Sequence, residues 1–258
     1  MDATGEASKS KRSELRIFPT SQDLARAAAE ECTRLALEAV EARGRFSLAL
    51  AGGSTPKRLY AQLAAGFAAG SSRSFPWKAT HFFWGDERHV SPDHPDSNYR
   101  MAFEAMFSKV PVPASHLHRI QGEATDARAA ADAYEKELRR HFGAKPGIWP
   151  QFDLVLLGLG SDGHTASLFP ATDVLSESER LAAAVWVPKL EVWRVTLTVP
   201  LLNQAANIIV LVSGKDKAEA LRAVRCRVFQ PYTLPAQLIQ PVCGRLQWLV
   251  DREAASLL

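Results

Sequence analysis

Cysteine is scarce in this sequence. Cys32, Cys226 and Cys243 are the only three in 258 residues, an odd number, widely separated and without a C-x-x-C pair. That argues against a disulfide framework and against a cysteine-based zinc site. Buried, reduced thiols in a cytoplasmic protein are the expectation. Long hydrophobic runs are missing as well. Stretches such as LVLLGLG and NIIVLV fall far short of the roughly 20 residues that span a bilayer, so no membrane role is expected. The N-terminal MDATGEASKSKRSE lacks the apolar stretch of a signal peptide and reads as a disordered tail over residues 1–14. Charge of one sign is also in short supply. The formal net charge is only +3, and the basic residues are scattered rather than interleaved with aromatics, which speaks against a nucleic-acid surface. There is no internal repeat, low-complexity segment or obvious linker.

What remains is an ordinary globular composition. Hydrophobic residues make up 47% and charged residues 23%, enough apolar material for a sizeable core. We read residues 15–258 as one domain. A helix is expected over 21–43, stopped by Gly44. Strands are expected at FSLAL, THFFW, FDLVLLG, AAAVWV, WRVTLTV, NIIVLV and LQWLV. Helices are expected at PKRLYAQLA, SNYRMAFEAMF, DARAAADAYEKELRRHF and KAEALRAV. SSRSFPWK (71–78) and GAKPGIWP (143–150) read as loops. Strands that alternate with helices imply an α/β fold in three layers, a mostly parallel central sheet with helices on both faces. FDLVLLG has no polar alternation, as expected of a strand buried on both sides.

Ligands of open α/β sheets bind outside the C-terminal strand ends, so the segments that follow the strands carry the functional signal. They are AGGSTP, GDERHV, LGSDGH and SGKDKA. In AGGSTP, Gly52 and Gly53 permit a tight turn, Ser54 or Thr55 can cap a helix, and Pro56 suits its first turn. A helix start of this kind favours an anion such as phosphate, although a plain strand-to-helix turn has the same pattern. It is not a Walker P-loop, because the G-x-x-x-x-G-K-[ST] spacing is absent. Lys215 and Lys217 sit at a helix start, where the macrodipole disfavours cations unless an anion or solvent meets them. Arg194 lies in an apolar strand pattern and needs a partner if buried, either a carboxylate or a bound phosphate.

Gly158, Gly160 and Gly163 spell G-x-G-x-x-G directly after an apolar strand, the written form of a dinucleotide fingerprint. Three features oppose that reading. Asp162 would set negative charge against a pyrophosphate. Pro170 would cut the following helix within about two turns. The expected ribose-binding acid is missing from LSESERLA. The alternative is that the glycines clear space for a small substrate on which Asp162 and His164 act. Elsewhere, His89 and His94 fall in a polar loop. His116 and His118 form H-x-H, a possible metal pair for which spacing suggests no third ligand, so surface or capping roles are the default. No G-x-S-x-G nucleophile elbow occurs.

LALAGGSTPKRLY, FFWGDERHVSPDHPDSNYRM, FDLVLLGLGSDGHTASLFP, RVTLTVPLLNQA, GKDKAEAL and LPAQLIQP with GRLQWLVD together resemble the 6-phosphogluconolactonases, from about residue 15 to the C-terminus. The wider superfamily includes the glucosamine-6-phosphate deaminases, the competing assignment. The deaminases carry D-E-Y where this chain has Asp86-Glu87-Arg88, and a glutamate for ring opening where it has Phe169. The resemblance implies hydrolysis of 6-phospho-D-glucono-1,5-lactone to 6-phosphogluconate, the second step of the oxidative pentose phosphate pathway, with no metal and no organic cofactor. It implies a small phosphorylated sugar lactone as partner and a cytoplasmic monomer or weak homodimer. By resemblance the catalytic histidine is His164 and the arginine after the Asp-Glu pair is Arg88. The phosphate contacts are Ser54, Thr55, Arg194 and Lys217, with Gly53 and Asp86 beside them, and the G-x-x-K-A spacing favours Lys217 over Lys215. Asp162 is expected to orient the imidazole or shape the loop, and Arg88 or backbone N–H groups to meet the oxyanion.

Overall fold

A computed structural model describes residues 13–68, 74–145, 147–226 and 228–258. Residues 1–12 of the expected tail, residues 71–73 of the first expected loop and Pro146 of the second lie outside the described residues. Ser13 and Glu14, read from sequence as the end of the tail, instead open strand β1 (Ser13–Phe18). β1 pairs in parallel with the last strand, β10 (Arg245–Asp251).

Between them run helix α1 (Ser21–Arg43), β2 (Phe46–Leu50), α2 (Ser54–Ala68), β3 (Thr80–Trp84) and β4 (Asp86–Arg88). Helix α3 (Asn98–Ala105), β5 (Leu117–His118), α4 (Ala127–Phe142) and β6 (Leu154–Gly158) follow. The remainder comprises β7 (Ala182–Val187), β8 (Val192–Leu197), α5 (Val199–Asn203), β9 (Asn207–Val212) and α6 (Ala218–Cys226). Local chemistry sets the ends of α1. The Thr20 hydroxyl accepts from the Asp23 N–H at 3.1 Å, and Gly44 closes the helix at φ 73°, its N–H donating to the Val40 carbonyl. One face of α1 buries Leu24, Ala28, Cys32, Leu35 and Ala36.

Seven strands form one sheet in the order β1-β10-β9-β6-β2-β3-β5, and every pair in it is parallel. β2 is buried along its whole length and β6 along all but its last residue. That requires cover on both faces, as the apolar run FDLVLLG predicts. From β2 the chain continues to β3 on one side. From β6 it continues to β9 on the other. The order therefore reverses between β2 and β6, the position where a crevice opens at the C-terminal strand ends.

Two expected strands do not join that sheet. AAAVWV and WRVTLTV became β7 and β8, which form an antiparallel hairpin, and with β4 they make a separate three-stranded sheet in the order β4-β8-β7. The connection between them is residues 188–191, too short for the crossover that parallel strands require. Gly85 joins the two sheets: its N–H donates to the Leu50 carbonyl and its carbonyl accepts from Leu197, both at 2.8 Å. The helix expected after the glycine loop is also absent. Residues 161–172 form turns, with a single Thr165–Leu168 bridge. Of the thiols, Cys32 is buried as expected, but Cys226 and Cys243 are exposed. Cys226 closes α6, and Cys243 precedes β10, outside the packed faces.

Two buried tyrosines hold the strand ends that lead into the crevice. The Tyr60 hydroxyl donates to the Ala51 carbonyl at 2.7 Å and accepts from the Ala51 N–H at 2.9 Å. Tyr134 does the same for Trp84, both at 2.9 Å. Each satisfies backbone groups at the C-terminal end of its strand.

Candidate active site

The crevice between β2 and β6 holds a pocket of about 210 Å³. Its walls come from three strand ends of the main sheet and from the small sheet. The AGG turn and the first turn of α2 contribute Gly53, Ser54 and Thr55. The glycine loop contributes Gly158, Gly160 and His164. β4 and β8 contribute Asp86, Arg88 and Arg194, and the segment after β9 contributes Ser213 and Lys217. Of the expected site residues, all but Asp162 line this pocket. Asp162 stands behind His164 instead.

Gly53 has φ 101°, a conformation open to glycine at little cost, and it turns the chain directly into α2. The first N–H groups of α2 have no partners in the preceding turn of helix, so this end of the pocket presents donors and positive potential. Gly52 serves packing: a Cβ there would lie 2.0 Å from Asn98 Oδ1. Asn98 is a pocket residue that sequence reasoning missed. Its amide donates to the Asp86 carbonyl at 2.9 Å.

The small sheet delivers two arginines side by side. Arg88 of β4 and Arg194 of β8 are direct antiparallel partners. Arg88 donates through Nη1 to the Asp96 carbonyl. Arg194 Nη1 lies 3.9 Å from Asp86 Oδ2, and its guanidinium covers the Phe169 ring at 5.6 Å. The buried Nε atoms of both have no partner, so each keeps donor capacity. Burial pushes Arg194 below its ordinary range, and Asp86 opposes this. Asp86 is itself held by Ser167, whose hydroxyl donates to Oδ2 at 2.6 Å. Together Arg88, Arg194 and Lys217 outnumber Asp86, so the pocket wall is net positive. Lys217 lines it, whereas Lys215 is exposed and does not.

Glu87, between the two pocket residues of β4, faces away into structure. Its carboxylate accepts from the N–H groups of Arg88, Asn98 and Tyr99 at 2.7–2.8 Å and from the Ser97 hydroxyl at 3.1 Å. It thereby neutralises the start of α3. Burial pushes this carboxyl up, and the backbone N–H groups pull it down.

The glycine loop forms a cradle for one imidazole. Gly160 donates its N–H to the His164 carbonyl at 2.8 Å, and Gly163 donates to the Gly160 carbonyl at 3.0 Å. A Cβ on Gly160 would lie 2.0 Å from His164 Nδ1, so glycine is required for the ring to lie against the backbone. Asp162 Oδ1 is 2.5 Å from the same Nδ1. The opposite side of the ring stacks on Phe169, with centroids 4.1 Å apart. The hydrogen bond with His164 holds the Asp162 carboxyl well below the usual carboxylate range, burial opposing, with Lys189 at 3.6 Å adding a little. An ionised carboxylate only accepts. Nδ1 therefore carries the proton, and Nε2 is left as the basic nitrogen.

No helix follows this loop, so the glycines do not present a helix terminus to a pyrophosphate. Gly160 makes room for the imidazole. Ser167, Phe169, Asn98 and Ser213 were not singled out for the site in the sequence. Only Phe169 had a signal, through its position relative to the deaminase glutamate.

A parallel α/β sheet with a net-positive pocket at its switch point, and a carboxylate-held histidine on the wall of that pocket, is the arrangement of an α/β enzyme. The family model for glucosamine-6-phosphate isomerases/6-phosphogluconolactonase matches residues 19–248, and the chain belongs to that family. It is 44% identical over 217 residues to a 6-phosphogluconolactonase of Synechocystis sp., covering 84% of this chain and 86% of that one. The solved structure of 6-phosphogluconolactonase from Trypanosoma brucei superposes with a TM-score of 0.83 at 30% identity, covering 96% of this chain and 99% of that one. A monomeric glucosamine-6-phosphate deaminase shares the fold, with a TM-score of 0.77 at 24% identity, covering 95% and 100% of the two chains. Among the described residues no helix is long and apolar enough to cross a membrane.

Proposed function

We propose that this chain hydrolyses 6-phospho-D-glucono-1,5-lactone to 6-phosphogluconate, with His164 as the general base. The observation that carries this reading is the Asp162-oriented imidazole of His164 on the wall of the same pocket as Arg88, Arg194 and Lys217. The substrate phosphate lies at the start of α2, against Ser54 and Thr55, with Lys217 and Arg194 as counter-charges. That anchor sets the lactone carbonyl against His164. Water attacks C1 as its proton passes to Nε2, and Arg88 meets the developing oxyanion. The tetrahedral intermediate then collapses, the bond from C1 to the ring oxygen breaks, and the imidazolium returns the proton to that oxygen.

Phe169 favours a lactonase over a deaminase. Its ring fills the face of His164 where ring opening of an amino sugar would need a carboxylate, and lactone hydrolysis has no use for one there. The same reading carries a place in the oxidative pentose phosphate pathway, a cytoplasmic location, a monomer or weak homodimer, and catalysis by protein groups alone. A coupled assay with freshly made lactone, corrected for spontaneous hydrolysis and run beside one with glucosamine 6-phosphate, tests it. Turnover of the lactone alone, undiminished after exhaustive chelation, is expected. Turnover of the amino sugar instead would overturn it.

A further inference from the structure

Away from the pocket, at the edge of the main sheet formed by β5, four histidines gather. His118 lies on β5, His81 on the neighbouring β3, and His141 in the last turn of α4. One ring nitrogen from each of these three lies within 4.8 Å of the other two. His81 Nδ1 and His118 Nε2 are 3.0 Å apart. None of the three lines the substrate pocket.

Each ring is held by neighbours. His118 Nδ1 is 2.6 Å from Glu137 Oε1, which fixes the proton on Nδ1 and aims the Nε2 lone pair at the cluster. A carboxylate behind an imidazole in this way is the usual outer support of a metal-bound histidine. Phe83 stacks on His118 at 4.4 Å and 9° and meets His141 edge-on, giving the cluster an apolar floor. His116 stacks on His81 at 3.9 Å, and its Nδ1 lies 3.2 Å from the Thr80 carbonyl, so it backs the site without joining it. Burial, the neighbouring imidazoles and Arg45 push His81 and His141 down to about 4. Both rings are therefore neutral at neutral pH, and each offers one nitrogen lone pair.

We propose that His81, His118 and His141 bind a single borderline divalent cation of the zinc type, at a site separate from the substrate pocket. Three neutral imidazoles suit such an ion. Metal–nitrogen bonds of about 2.0–2.1 Å set tetrahedral ligands roughly 3.3 Å apart. The His81–His118 pair already stands near that separation, and His141, half-exposed at a helix end, closes it by a side-chain rotation. A water molecule supplies the fourth ligand. The bound ion cross-links β3, β5 and α4, and it stabilises the native chain because the unfolded chain does not hold the three rings together. Glu137 offsets part of the positive charge that Arg45 and Arg140 place nearby.

The test uses the full chain without a histidine tag, stripped by chelation and titrated with zinc against a chromophoric chelator. One equivalent is expected per chain, with a raised Tm. The double variant His81→Asn with His141→Gln is expected to bind about 100-fold more weakly with an unchanged kcat for the lactone. Replacement of the exposed thiols, Cys226→Ser with Cys243→Ser, is expected to leave binding intact. Cobalt added to the wild-type chain should give the visible bands of a tetrahedral nitrogen and oxygen site, a readout that does not depend on the variant folding. No saturable binding by the wild type, undiminished binding by the folded double variant, or thiolate charge-transfer bands with cobalt would each overturn the proposal.

Discussion

Asp162 and His164, two residues apart, meet through Oδ1 and Nδ1 at 2.5 Å, while the side chain between them is a glycine at φ 82°. That left-handed Gly163 folds the loop back so that a carboxylate can reach the ring of a residue so near in sequence. If the imidazole is the base, His164→Asn lowers kcat by about 10²–10⁴-fold and leaves 6-phosphogluconate binding nearly unchanged. Steady-state kinetics with product-binding calorimetry check both. Near wild-type kcat in the folded variant would remove His164 from the chemistry.

Asp162 acts through the ring, so Asp162→Asn is expected to cost less, about 10- to 100-fold in kcat, with KM little changed. The pH dependence separates the two groups. A carboxyl whose folded pKa is depressed contributes stability that is present above the unfolded value of about 3.9 and lost as pH falls through the folded value. Asp162 is therefore ionised throughout pH 5–9. An acid limb of kcat/KM in that window therefore does not come from Asp162 and should persist in Asp162→Asn. Its disappearance would assign the limb to the carboxylate.

Gly160→Ala tests the cradle without altering a polar group. The added methyl would occupy space 2.0 Å from His164 Nδ1, so the ring must move off Asp162. A loss in kcat of at least about tenfold with retained product affinity is expected. Unaltered kinetics would show that the ring needs no such support.

Lys217→Ala removes one counter-charge of the phosphate. A charge-assisted contact is worth about 1.5–3 kcal/mol, so affinity for 6-phosphogluconate should fall by about ten- to a hundredfold. Lys215→Ala, at an exposed position outside the pocket, should change it little. Equal effects at the two positions would dissolve the distinction between them.

Glu87→Gln would leave one of the N–H groups of Asn98 or Tyr99 facing an amide donor. Destabilisation by about 1–3 kcal/mol is expected, read from the midpoint of chemical denaturation. A large drop in kcat at unchanged stability would instead make Glu87 a candidate catalytic base.

Several features were legible in the sequence because they depend on local periodicity and on turn chemistry. The strands FSLAL, THFFW, FDLVLLG and NIIVLV and helix α1 fall where apolar spacing and Gly44 place them. Eight of the nine expected site residues line the pocket, and the strand-end rule pointed to seven of them, because strands that run parallel all deliver their following loops to one edge; Arg194 was read instead from its place within a strand. Asp162 was legible only as a companion of His164. Its place behind the ring follows from the φ of Gly163.

The rest required tertiary structure. β7 and β8 carry the same strand-like composition as the central strands, and pairing decided that they form a separate sheet. That pairing sets Arg88 beside Arg194. β5 has only two residues and leaves no periodic trace, yet it brings His118 to His81. Composition and spacing by themselves determined an α/β chain with polar strand ends, since those signals reside in neighbouring residues. Only long-range packing decided which side chains share a pocket and which histidines share a cluster, because such contacts join residues that local sequence patterns do not connect.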